Sequence, residues 1–163
     1  MSQIRTAVWF EGAIPDLIHG LKYNGGFALA SLLGRYMAEA WPDWDEPVDI
    51  IVPVPLHPDR EKKRGYNQSA LLAQALSERI QGHWQAKAVR RVRYTRPQVG
   101  LNAHERQNNL QGAFVADPAL VAGQHVLLLD DVYTTGSTLR EAAQATHKAG
   151  ARRVSGYCLA RAR

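Results

Sequence analysis

The sequence predicts an α/β fold with a mainly parallel central sheet flanked by helices. Two apolar runs, Asp49–Leu56 and Gln124–Leu129, are bounded by turn residues as buried strands are. Helical stretches alternate with these and with further strands, the order that a parallel sheet requires. With 163 residues, 45% of them hydrophobic and 21% charged, the chain can bury the core of one globular domain.

The first forty residues predict helices. Ile14, Leu17, Ile18 and Leu21 fall at helical spacing, and Gly25-Gly26 breaks the pattern. A second helix is expected over 27–41, with Leu29, Leu32, Leu33, Tyr36 and Met37 inward and Pro42 ending it. After a short linker over 42–47, the run Ile50-Ile51-Val52-Pro53-Val54-Pro55-Leu56 reads as a buried strand whose two prolines stop pairing near its end.

A basic loop is expected over 57–66. Asn67 then caps a helix to about Ile80, with Leu72, Leu76 and Ile80 on one face. Residues 89–94 read as a half-exposed strand, Val92 and Tyr94 on one face and Arg91 and Arg93 on the other. The polar stretch 95–111 separates it from a short strand at 113–116. After the buried run at 124–129, residues 138–149 predict a helix ended by Gly150, and 154–160 a last strand. One domain over 1–163 is expected, with a helical N-terminal part at 1–47 and a core at 48–163.

Composition excludes several classes. No apolar run approaches the length of a membrane span, and the N-terminal residues lack the apolar core of a signal peptide, so a cytoplasmic location is expected. Cys158 is the single cysteine, which rules out an internal disulfide and a cysteine zinc cluster; its apolar neighbours predict a buried, inert thiol. The six histidines are scattered, with no pair spaced for a helical metal site. A net charge of +5 favours polyanionic partners without choosing among them.

The functional signal lies in Val126-Leu127-Leu128-Leu129-Asp130-Asp131-Val132-Tyr133-Thr134-Thr135-Gly136-Ser137-Thr138. Two carboxylates stand where the apolar strand should end, and ligands of open α/β sheets bind at the carboxyl ends of strands. Adjacent acids can accept from two neighbouring sugar hydroxyls and, through water, bias a Mg²⁺ ion. The hydroxyl-rich turn that follows leads into a helix, whose first N–H groups suit a phosphate, and Gly136 permits close approach. Each half alone is better explained by a solvated turn or a helix cap. Their union points to a phosphorylated ribose.

These thirteen residues resemble the phosphoribosyl-pyrophosphate signature of type I phosphoribosyltransferases. The resemblance implies that Asp130 and Asp131 hold the ribose hydroxyls and that Thr134, Thr135, Gly136, Ser137 and Thr138 wrap the 5-phosphate of 5-phosphoribosyl-1-pyrophosphate (PRPP), with Mg²⁺ as cofactor. Three further stretches are similar to the ComF family, which is linked to competence and DNA uptake. They are Leu21-Lys22-Tyr23; Val52-Pro53-Val54-Pro55-Leu56 with Arg64-Gly65-Tyr66-Asn67-Gln68; and Gln98 through Arg106, Asn109, Leu110, Gly112, Ala113 and Phe114. ComF proteins commonly begin with a four-cysteine zinc ribbon. This sequence has no such cysteines, and no zinc is expected.

In that fold the loop after the first core strand grips pyrophosphate, which maps to Pro55, Leu56, His57 and the stretch to Tyr66; a small hood and a mobile flap complete the site. Lys62, Lys63 and Arg64 carry the charge a diphosphate needs, or else only solvate a surface loop. The flap falls on 94–111, where Arg96, Gln98, Arg106 and Asn109 are candidates; Arg64, Arg96 and Arg106 are the expected catalytic cations. Lys22 is a further candidate phosphate contact, surface solvation being nearly as good a reading. His57 and His104 are the weak candidates for a general base.

Trp9, Trp41, Trp44 and Trp84 are dispersed, which fits packing better than base stacking. Arg90, Arg91, Arg93 and Arg96 form the densest basic cluster, read as an exposed strand face or as a nucleic-acid stripe. Two functions follow. The first is transfer of phosphoribosyl to a nitrogen nucleophile. The second is a non-catalytic PRPP sensor or single-stranded-DNA-binding factor. A P-loop ATPase is excluded by the absence of its glycine-lysine motif.

Overall fold

The computed structural model describes residues 1–23, 26–93 and 110–162. The chain opens with β1 (Ile4–Trp9), α1 (Ile14–Tyr23) and α2 (Phe27–Glu39). There follow β2 (Ile50–Pro53), α3 (Pro58–Arg64), α4 (Gln68–Ile80) and β3 (Val89–Arg91). Last come β4 (Phe114–Ala116), α5 (Pro118–Val121), β5 (His125–Tyr133), α6 (Ser137–Lys148) and β6 (Arg153–Arg161). Four strands form a parallel sheet in the order β1-β6-β5-β2, and β3 and β4 make a separate antiparallel ribbon.

The central strands are unbroken apolar runs because both faces of the sheet are covered. Val126, Leu128, Val154 and Cys158 pack with Leu139, Ala142 and Ala143 of α6 and with the ribbon. Leu127, Leu129, Tyr157 and Leu159 pack on the other face with Leu21, Leu33, Met37, Leu72 and Leu76 of α1, α2 and α4. Helices α2 and α4 lie so close that a Cβ on Gly34 would stand 2.6 Å from the Cβ of Ala75. Asn67 caps α4 as expected, its Oδ1 accepting from Ser69 N–H at 3.0 Å.

The structure corrects five expectations. Residues 4–9 are a strand and not helix: Ile4, Thr6 and Val8 are β-branched at alternate positions, and β1 adds to the sheet in register from Ile4↔Gly156 to Trp9↔Arg161. The N-terminal 47 residues are therefore not wholly helical, and β1 belongs to the central sheet. Tyr36 faces solvent, α2 turning Leu33 and Met37 inward instead. The segment after β2 is not a loop throughout, since α3 starts at Pro58, is capped by His57 and ends at Gly65 with φ +88°. On β3 the inward residues are Val89 and Arg91, while Val92 is exposed.

The fifth correction concerns β5, which does not end at the carboxylates but runs through them to Tyr133. Cys158 is buried, and burial followed by the Asp130 and Asp131 charges raises its thiol pKa well above the ordinary value, as an inert thiol requires. Trp41 and Trp44 pack edge-on with each other and with Tyr157. Trp9 and Trp84 are the exposed pair. No helix among the described residues is long and apolar enough to cross a membrane.

Candidate functional site

The site arises where two neighbouring strands differ in length. The β2–β5 ladder ends at Pro53↔Leu129, closed by Val54 N–H donating to Leu129 O at 2.8 Å. Pro55 has no N–H with which to continue it. β5 runs on beside β6 to Tyr133↔Arg161. Beyond Leu129 the β2 side of β5 is open, and Asp130 and Asp131 line a cavity of about 590 Å³ there.

Period-2 alternation sends the two carboxylates to different neighbours. Asp130 Oδ1 accepts from Ser69 Oγ at 2.9 Å and from the Asp131 N–H at 2.9 Å. Burial first, and then the Asp131 charge, hold the Asp130 carboxyl well above the ordinary carboxylate range, while the two donated hydrogen bonds pull the other way. Asp131 is buried, and its Oδ2 lies 2.5 Å from Lys22 Nζ. No aligned hydrogen bond reaches that oxygen among the described residues, so the contact is one of charge.

The cavity also carries cations. Arg60 and Arg64 lie one turn apart on α3, and Arg91 comes from β3. Arg91 is 7% exposed and lies over the Phe114 ring, 5.4 Å from its centroid. Burial, with Arg60 next, lowers its guanidinium pKa to about 10. Two guanidiniums that oppose each other's charge beside a cavity form a receptor for a multivalent anion. The rim is apolar and aromatic, built by Phe10, His19 and Tyr23 from the β1–α1 connection and α1. His19 and Tyr23 stack with centroids 4.8 Å apart, and Arg64 lies over the Tyr23 ring.

Beside the carboxylates, Thr134, Thr135, Gly136, Ser137 and Thr138 line a small recess together with Asp130 and Tyr133. Gly136 is the N-cap of α6 with φ +72°, and it offers no side-chain acceptor to the first-turn N–H groups. A Cβ there would lie 2.7 Å from the Tyr133 ring, so only glycine closes this turn. The start of this twelve-residue helix, the positive end of its dipole with hydroxyls around it, suits an anion the size of phosphate.

The structure thus brings Lys22, Pro55, Leu56, Arg64, Asp130, Asp131, Thr134 and Thr138 to one cavity, with Thr135, Gly136 and Ser137 in the adjoining recess. His57 is the cap of α3 and is not among the cavity residues. Arg96, Gln98, His104, Arg106 and Asn109 lie outside the described residues. Sequence reasoning missed Arg60, Ser69 and Arg91. Counting alternation from the buried Val89 rather than from Val92 would have turned Arg91 inward, and a helix over 58–64 would have put Arg60 beside Arg64.

Known proteins share this architecture and this sequence. Residues 24–163 match the phosphoribosyl transferase domain family. The DNA utilization protein YhgH of Escherichia coli is 41% identical over 162 residues, covering 96% of this chain and 70% of that protein. Competence protein F of Haemophilus influenzae is 36% identical, covering 90% of this chain and 67% of that protein. The fold matches the glutamine PRPP amidotransferase from B. subtilis, solved with ADP and GMP, at a TM-score of 0.54 and 19% identity. That match covers 82% of this chain and only 26% of the amidotransferase. The chain belongs to the phosphoribosyl transferase domain family, with the type I fold, among the relatives of competence protein F.

Proposed function

We propose that the cavity binds PRPP with Mg²⁺ and passes the phosphoribosyl group to a nitrogen nucleophile. One observation carries the reading: a carboxylate pair, a glycine-hydroxyl cradle at a helix start and an arginine wall border connected space. These three surfaces match the hydroxyls, the 5-phosphate and the diphosphate of one ligand. The cradle would fix the ligand's phosphate end, Asp130 and Asp131 would orient the ribose, and Arg60, Arg64 and Arg91 would stabilise the charge that gathers on the departing diphosphate.

The residues present also fit the metal. Asp131 Oδ2 is a buried hard oxygen with no aligned hydrogen bond, and no cluster of three metal-ligating side chains exists among the described residues. A pair of carboxylates with water and ligand phosphates is the way Mg²⁺ is usually held. When bound, Mg²⁺ would supply neutralising charge to the diphosphate. The apolar rim of Phe10, His19 and Tyr23 would shield the reacting carbon from water and face the acceptor.

The test is calorimetric titration of PRPP and Mg²⁺ into wild type and the Asp130→Asn/Asp131→Asn double variant. Binding to wild type that disappears in the variant is the expected result; no binding to wild type would refute the reading. Turnover is then followed as pyrophosphate release with bases, ammonia and glutamine. The names of the relatives, which refer to DNA utilization and competence, support a second role. PRPP binding without release of pyrophosphate, together with salt-steep affinity for single-stranded DNA, would favour a ligand-responsive DNA-binding protein over an enzyme.

A further inference from the structure

The ion pair between Lys22 and Asp131 lines the cavity. The two charged atoms are 2.5 Å apart, with side-chain exposures of 27% for Lys22 and 8% for Asp131. Both residues line the cavity with Asp130, Arg60 and Arg64. Building on the PRPP–Mg²⁺ reading, we propose that Lys22 is a resident counter-ion of Asp131, which a divalent cation and its ligand must displace.

The geometry leaves little alternative for a metal that approaches Asp131. With no aligned hydrogen bond on Oδ2 among the described residues, the ammonium is the charge set against that oxygen. A second cation cannot share the same oxygen without close like-charge repulsion. Lys22 can withdraw because it stands in the last turn of α1 and carries its charge on a flexible four-carbon stem. An anionic diphosphate in the same cavity gives the displaced ammonium a new partner.

Two consequences follow. The metal alone binds weakly, because it must evict Lys22 with nothing to receive the ammonium. Metal and ligand together bind cooperatively, because the ligand receives it, and that coupling is reciprocal. Lys22 is then a specificity-determining residue that ties metal occupancy to the presence of the anionic ligand. A purely structural Lys22 would change stability and leave this coupling untouched.

The experiment uses Mn²⁺ as the probe, counted as free ion by electron paramagnetic resonance. Wild type, Lys22→Met and Lys22→Arg are titrated with Mn²⁺ alone and then with PRPP present. Lys22→Met is expected to bind Mn²⁺ about fivefold more tightly than wild type without ligand, the factor that a partly exposed ion pair is worth. Lys22→Arg should behave as wild type, and the gain should vanish when Asp131→Asn is added. PRPP should tighten Mn²⁺ binding less in Lys22→Met than in wild type.

Equal Mn²⁺ affinity in all three proteins overturns the proposal even where PRPP binds normally. So does the absence of measurable Mn²⁺ binding to a folded Lys22→Met. Should PRPP fail to bind wild type while Lys22→Met still gains Mn²⁺ affinity, the ligand assignment fails and the counter-ion role of Lys22 stands.

Discussion

Replacing Asp130 with asparagine separates what this carboxyl does for the ligand from what it costs the fold. In the native site Oδ1 accepts from Ser69 Oγ and from the Asp131 N–H, and an amide oxygen can accept both bonds in the same place. The negative charge is what changes. An Asp carboxyl in the unfolded chain ionises near 3.8, whereas burial and the Asp131 charge keep the folded one protonated to higher pH. Between those values the folded state binds more protons than the unfolded state, so stability falls as pH rises, by up to ~1.4 kcal/mol for each pH unit. Over the three pH units from 5 to 8 that is up to about 4 kcal/mol; since Asp130 is partly open to the cavity, about half of it, about 2 kcal/mol, is the expected loss. Urea denaturation of wild type and Asp130→Asn at pH 5 and pH 8 measures it. The variant should gain about 2 kcal/mol on wild type between pH 5 and pH 8, and PRPP binding should be abolished. A stability difference that does not change with pH would refute the reasoning, because Asp130 would then carry no raised proton affinity.

Removing the hydroxyl with Ser69→Ala takes away a bond that favours the charged form of Asp130. Its carboxyl pKa should rise further in an NMR titration, with a stability loss of about 1 kcal/mol from the broken hydrogen bond. Gly136→Ala forces a side chain into φ +72° and against the Tyr133 ring; it should cost about 1–3 kcal/mol in thermal unfolding and weaken binding of ribose 5-phosphate more than that of pyrophosphate. Arg91→Met keeps the apolar stem over Phe114 and removes the charge. Pyrophosphate affinity should fall by roughly tenfold or more by calorimetry, while the fold, judged by circular dichroism, stays intact.

Much of this fold could be read from the residues because the central strands are buried on both faces and so stand out as apolar runs. The β2 and β5 runs, the Asn67 cap and the terminator Gly150 were all legible for local reasons. β1 was not, because six residues with exposed Trp9 and Arg5 acquire their meaning only from the neighbouring β6. In the site, Asp130 to Thr138 were visible as one contiguous string. Arg60 and Arg91 reach the same cavity from two other elements and Ser69 supports Asp130 from a third, and no short-range pattern connects Ser69 to Asp130 across 61 positions. Arg91 was harder still, since a buried arginine on a short strand mimics the exposed charge of an ordinary edge.

The same unequal strand lengths that open the cavity also account for its charge pattern. Had β2 kept pace with β5, Asp130 would face a paired strand, where an acid without a partner is costly. The ladder stops at Pro53↔Leu129, Pro55 cannot extend it, and the chain turns into α3, which brings Arg60 and Arg64 to the cavity that the carboxylates line. Acids and bases thus line one cavity, and Lys22 stands against Asp131 within it. A cavity of about 590 Å³ that carries both signs of charge suits a molecule that bears hydroxyls for the acids and phosphates for the cations. A charge pattern of this kind stabilises the empty protein poorly, and Asp130 bears that cost in its raised proton affinity.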